Sequence, residues 1–175
     1  MPPTIEIVDY DERWPDFYVC EAQRIRNALG ELLAGIEHVG STSVLGLAAK
    51  PRIDIMPGVR TERDLDRTIA PMTNLGFDYR LDLEEEMPFR RLFSREADDR
   101  NMAVNVHVVA IDSEFWERHL LFRDYLRNNP DVAEEYARLK RDLAPRFRYT
   151  NDYAGAKTEF IRAVEERART EQVRT

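Results

Sequence analysis

The chain has 175 residues, 43% hydrophobic and 34% charged, with a net charge of -7. That length suits one domain, residues 1–175, with a sizeable buried core. No apolar run approaches the roughly 18 residues that span a bilayer, and the acidic balance argues against general nucleic-acid binding while leaving room for a local basic pocket.

The N-terminal "TIEIV" alternates and predicts a first strand, with Asp11 as helix cap and a helix from about Trp14 to Leu33. Cys20, the only cysteine, excludes an internal disulfide and a thiolate zinc cage. With no export signal in view, the chain is expected in the cytoplasm. Two short strands follow, "IEHVG" (36–40) and "RIDIMPGV" (52–59), joined by a small-residue linker. Leu65, Ile69, Met72 and Leu75 mark a helix ending near Gly76. Strand-like composition then runs through "FDYRL", "PFRRLFSR" and "MAVNVHVVAI". Beyond Asp112 the period becomes helical. Phe115, Phe122 and Leu126 make one stripe; Val132, Tyr136, Leu139 and Leu143 a second, opened by Asn129 as cap and Pro130 as first residue; Tyr153, Phe160, Ile161 and Val164 a third. The tail after about Glu165 reads as a fraying helix end. The fold class is α/β (α+β), mixed first and helical afterwards.

The chemistry concentrates in "IEHVGSTSVLGLAAKPRIDI", residues 36–55. A strand that stops at Gly40 and turns through Ser41, Thr42 and Ser43 into a short helix offers N–H groups and hydroxyls to an anion, for which phosphate is the natural guess. It is not a P-loop, because Leu47 and Ala48 stand where lysine and Ser/Thr should follow Gly46. The plainer alternative is a helix cap made by Ser41 or Ser43. Asp54 shifts the balance, since a carboxylate between Ile53 and Ile55 must be paired, hydrogen-bonded or metal-bound. Lys50 or Arg52 is the structural partner to expect, and Mg²⁺ shared with substrate phosphates the functional one.

This stretch, with "HVV", "RHLLFRDYLR", "YARLKRDLA" and "YAGAKTEFI", resembles the GrpB family, a group with the nucleotidyltransferase fold, from "YDERW" to about Ile161. The resemblance implies a nucleotidyltransferase-like mixed sheet flanked by helices, with a helical C-terminal part. It further implies that Gly40 and Ser41 hold nucleotide phosphates and that Asp54 binds a divalent metal. The family pattern usually has proline where Leu45 stands. Active nucleotidyltransferases carry a second carboxylate two residues after the first, and here that place is Met56. The later strand adds no acid: Asn105 and His107 share its polar face, opposite Val104, Val106 and Val108.

His107 is thus a candidate to position or activate an acceptor, against the commoner reading of a half-buried histidine satisfied by its neighbours. Asn105 is a candidate for a ribose or base. Lys140 and Lys157 each follow a tyrosine by four residues on a helix and, with Lys50, are candidates for a polyphosphate, against the alternative of solvated lysines worth almost nothing. Of the arginines only Arg123 is carried forward, on the resemblance; Arg90, Arg91, Arg95, Arg118 and Arg127 read as a solvated face. His38 is expected to be packed, His119 to face solvent, and "DLEEEM" to be a solvated loop.

The leading expectation is a nucleotide-binding protein that transfers a nucleotidyl group with Mg²⁺. Gly40, Ser41 and Thr42 would hold phosphates, Asp54 the metal, and Lys50 and Lys140 the triphosphate. The expected partner is a nucleoside triphosphate or other phosphorylated small molecule, with no membrane. The alternative is a catalytically inactive ligand-binding or assembly module, like the GrpB-like domain fused to dephospho-CoA kinases.

Overall fold

The computed structural model describes residues 5–99 and 101–173. Its elements in chain order are α1 (Trp14–Leu29), β1 (Leu33–Val39), β2 (Arg52–Val59), α2 (Ile69–Asn74), β3 (Asp78–Tyr79), β4 (Arg90–Arg95), β5 (Ala103–Ala110), α3 (Glu114–Asn128), α4 (Pro130–Leu143), α5 (Thr150–Ala156) and α6 (Thr158–Val173). The sheet runs β1-β2-β5-β4-β3. It is mixed, because β2 and β5 are parallel and every other pair antiparallel.

Alternation along the two central strands divides the molecule. Ile53 and Ile55 of β2 and Val104, Val106 and Val108 of β5 face the helix α1, whose Ala22, Ile25 and Leu29 lie three or four residues apart and complete the larger core. The opposite face carries Met56 and Val109, covered with Val39 by Trp116 of α3. Gly58 permits this close cover, since a Cβ there would lie 2.9 Å from the Trp116 ring. On that same face stand Asp54, Asn105 and His107, with Asp54 beside Asn105 in the parallel register. A third cluster joins Val44, Leu47 and Ala48 of the small-residue linker to Tyr125, Leu126, Val132, Tyr136, Val164 and Ala168. The linker is therefore pinned between the sheet and the C-terminal helices.

Several sequence expectations are corrected. "TIEIV" forms no strand within its described part: only Val8 pairs, through two backbone bonds of 2.9 and 3.0 Å to Ala49, because it meets the linker and not a sheet edge. Asp11 accepts the Arg13 N–H at 2.9 Å and pairs with its guanidinium, leaving α1 without a side-chain cap. The α1 helix stops at Leu29, and Leu33 already belongs to β1. The helix expected over 65–75 is shorter: a 3₁₀ turn, Asp66–Thr68, precedes the six-residue α2, which ends close to Gly76 as expected. Asn129 stands at the N-cap position of α4 but donates its amide back to the Tyr125 carbonyl at 2.8 Å. The third stripe breaks at Lys157 into α5 and α6. The tail does not fray over its described residues: Glu165 and Ala168 are buried, and the Arg118 guanidinium donates to both Glu165 oxygens at 2.9 and 3.2 Å.

The arginines expected to be solvated are instead structural. Arg95 and Arg24 converge on the buried Glu21, Arg91 is buried and pairs with Asp66, and Arg127 donates twice to the Ser43 carbonyl. Within "DLEEEM", Glu84 is half-buried, accepting from the Tyr79 hydroxyl and pairing with Arg91 at 3.4 Å. No helix among the described residues is long and apolar enough to cross a membrane.

Candidate functional site

The turn after β1 is built around Gly40. Its φ of +71° suits glycine, and a Cβ there would lie 2.5 Å from Asp54 Oδ2, so the chain passes directly over the carboxylate. The hydroxyl-bearing residues form a single three-residue 3₁₀ turn, Ser41–Ser43, with no side-chain cap. The helix expected here is absent, and with it the dipole that would have favoured an anion. Ser43 donates to the Gly40 carbonyl at 2.5 Å, and Thr42 Oγ1 bonds the packed His38 at 3.0 Å. Of the three hydroxyls, Ser41 takes a bond from the cleft, accepting from Lys140 Nζ at 2.8 Å.

Asp54 is not paired with Lys50 or Arg52. Asn105 Nδ2 donates to its Oδ1 at 3.1 Å, and His107 Nε2 approaches the same oxygen at 3.5 Å. Arg52 donates instead to Asn105 Oδ1 at 3.1 Å and to Glu96 at 2.6 Å. The Asn105 amide is thus engaged at both ends and orients the carboxylate. The Arg90 guanidinium, a donor only, lies 3.4 Å from His107 Nδ1, which places the ring proton of a neutral His107 on Nε2, toward Asp54. Burial pushes the Asp54 carboxyl upward. Hydrogen bonding and charge from His107, the Asn105 bond and the Lys50 charge outweigh that and hold it below the ordinary carboxylate range.

These groups line a cleft of about 310 Å³ that also takes in Lys50, Lys140, Lys157, Tyr153 and His119. Every residue singled out from sequence is brought to it except Arg123 of α3, which is held on β1 instead, donating to Glu37 at 2.6 Å and to the His38 carbonyl at 3.0 Å. Lys140 is buried, donating to Ser41 and to the Ala48 carbonyl. The i,i+4 pairing of lysine and tyrosine is realised: Lys140 Nζ lies 4.6 Å from the Tyr136 ring centroid and Lys157 Nζ 4.2 Å from that of Tyr153. Burial, then the charges of Lys157 and Arg141, lowers Lys140 to about 7. Burial and Lys50 lower Lys157 to about 8, partly offset by Asp54.

Sequence reasoning missed His119 and Tyr153. His119 does not face solvent: it stacks on Phe115 at 3.9 Å and its Nδ1 donates to the Phe115 carbonyl at 2.8 Å. The spacing of Phe115 and His119 was the available signal. Burial, then the His107 charge, lowers His119 to about 4, so it is neutral near pH 7.

The donor set limits what metal it fits. No group of three or more His, Cys, Asp or Glu capable of holding an ion occurs among the described residues. Met56 is fully buried among Val39, Val109 and Trp116, so the place of a second carboxylate is part of the core. Two metal ions do not fit. A single Mg²⁺ would have Asp54 as its one protein carboxylate and would need ligand phosphates and water for its remaining positions.

Residues 4–167 match the family described as GrpB protein. A UPF0157 protein of Halalkalibacterium halodurans is 37% identical over 94% of this chain and 83% of its own length. The crystal structure of the conserved protein GrpB from Enterococcus faecalis superposes with a TM-score of 0.81 at 32% identity, covering 95% of this chain and 99% of that one. A dephospho-CoA kinase of Mycolicibacterium paratuberculosis is 27% identical over 81% of this chain and 40% of its own length. On the family match and these likenesses, the chain belongs to the GrpB family.

Proposed function

We propose that the cleft binds the phosphate groups of a nucleoside triphosphate or another phosphorylated small molecule, as a ligand-binding module without nucleotidyl transfer. One observation carries this reading. Lys50, Lys140 and Lys157 gather in a cleft with one carboxylate, and none of the three belongs to an ion pair among the described residues. Lys140 is buried and Lys50 and Lys157 are half-buried; ammonium groups so placed without a carboxylate partner are costly, and a polyanion is the partner that removes the cost. Ser41, held by Lys140, and the Asp54 carboxylate complete the polar wall. Asp54 would hold a single Mg²⁺, which supplies charge to bridge phosphate oxygens. The missing second carboxylate favours binding over transfer, since in-line transfer relies on two ions clamping the attacking and leaving oxygens. A module role also accords with the partial coverage of the dephospho-CoA kinase, whose remaining length lies outside the match.

Calorimetric titration of ATP and GTP, with and without Mg²⁺, into wild type and Asp54→Ala tests the reading. Binding without pyrophosphate release is the expected result. Metal-dependent release of pyrophosphate in the presence of candidate acceptors would replace it with the transfer reading, and absence of binding under every condition would overturn both.

A further inference from the structure

A phenolic hydroxyl buried without a hydrogen-bond partner is costly, and native folds keep few of them. Tyr153 is 1% exposed, lines the cleft, and its hydroxyl has no partner among the described residues. Two cations attend its ring: Lys157 Nζ at 4.2 Å and Lys50 Nζ at 5.6 Å from the centroid. Burial raises the phenol to about 12, so the hydroxyl keeps its proton and is available as a donor. Lys140 stands apart from this group in its bonding, anchored to Ser41 and to the Ala48 carbonyl. The lysines of the cleft therefore fall into two sets, one on the turn and one around Tyr153, while Arg52 is taken up by Asn105 and Glu96.

We infer that Tyr153 contacts ligand: its hydroxyl donates to a phosphate oxygen and, with Lys50 and Lys157, forms a second anion subsite beside Lys140 and the Gly40–Thr42 turn. A ligand that fills both subsites carries at least two linked phosphate groups. The ligand class is an oligophosphate chain, free or borne on a nucleoside. This rests on the phosphate-binding reading above and goes beyond it by naming the length of the anion and the residue that measures it.

Tyr153→Phe separates a ligand-contacting hydroxyl from a structural one, because the two roles move stability in opposite directions. Removing an unpartnered buried hydroxyl leaves the free protein melting at the same or a higher temperature, whereas removing a structural hydrogen bond lowers it. Inorganic tripolyphosphate, orthophosphate and ATP are titrated into wild type, Tyr153→Phe and Lys157→Gln. Wild type is expected to bind tripolyphosphate at least tenfold more tightly than orthophosphate. Each variant is expected to lose roughly tenfold or more of the tripolyphosphate affinity, the scale of one hydrogen bond to a charged group. A tighter hold on ATP than on tripolyphosphate, or an equal one, supports the assignment either way and shows whether the nucleoside is recognised too. Tripolyphosphate binding that survives both substitutions, or that only matches orthophosphate, overturns the second subsite while leaving the phosphate-binding reading standing. No binding of any probe to wild type overturns both.

Discussion

Replacing Gly40 by alanine puts a methyl group where Asp54 already sits. The added Cβ would lie 2.5 Å from Asp54 Oδ2, closer than real Cβ atoms come, and a tight 3.1 Å from its Cβ and Cγ. The backbone at φ +71°, ψ -176° adds a conformational cost of about 1–3 kcal/mol for any residue with a Cβ. Gly46 is the internal control, since its φ is +77° but a Cβ there would meet nothing within 4 Å. Gly46→Ala is expected to cost about 1–2 kcal/mol from the left-handed backbone alone. Gly40→Ala is expected to cost roughly 1–3 kcal/mol more, the range for overpacking a filled site. It also displaces the carboxylate from Asn105 and His107. Urea unfolding measures the difference directly, as a midpoint lower by about 1 M relative to Gly46→Ala for a slope of 1–3 kcal/mol per M. Equal midpoints for the two variants would refute the claim that Gly40 is required by contact with Asp54.

His38 and His119 are both held near 4 by burial, below the 6.5 of an accessible histidine. Between those values the unfolded chain binds more protons than the fold, so stability is complete above about pH 6.5 and falls as pH drops toward about 4. The loss is at most about 3 kcal/mol per histidine, and chemical unfolding of His38→Phe and His119→Phe between pH 7.5 and 4.5 should show a shallower decline than wild type. Lys140 at about 7 and Lys157 at about 8 are partly neutral at pH 8 in the free protein, so an oligophosphate that restores their charge draws protons from the buffer. Tripolyphosphate titrations in two buffers of different ionisation enthalpy should register that uptake, and affinity should weaken as pH rises from about 7 to 9; a buffer-independent heat would contradict it. Glu21→Ala strips the half-buried Arg95 of its 2.6 Å partner and is expected to cost about 3 kcal/mol in thermal or urea unfolding, the lower end for removal of one member of a buried ion pair.

Legibility followed the range of the interactions. The span of β2, Arg52–Val59, is legible because Arg52, Ile53, Asp54 and Ile55 alternate in polarity and burial before an apolar run that is buried on both faces. On β5 the division of Val104, Val106 and Val108 from Asn105 and His107 was legible for the same reason. "TIEIV" has equal alternation yet lacks a sheet neighbour, and pairing with a neighbour is what makes a strand. The arginines were misjudged because their partners are distant in sequence: Arg95 meets Glu21, Arg118 meets Glu165 and Arg123 meets Glu37.

Within the cleft the same boundary holds. The sequence by itself determined the residue types, the turn at Gly40, the lone carboxylate at Asp54, the absence of an acid at Met56 and the tyrosine–lysine pairs on α4 and across α5, all features of local spacing. Only the tertiary structure decided that Lys140, 99 positions from Ser41, locks its hydroxyl, that Asn105 and not a lysine holds Asp54, and that the Tyr153 hydroxyl has no partner among the described residues. Those contacts depend on how the C-terminal helices close over the linker at Val44, Leu47 and Ala48. Burial and pairing across such distances are properties of packed surfaces, which no spacing along the chain encodes.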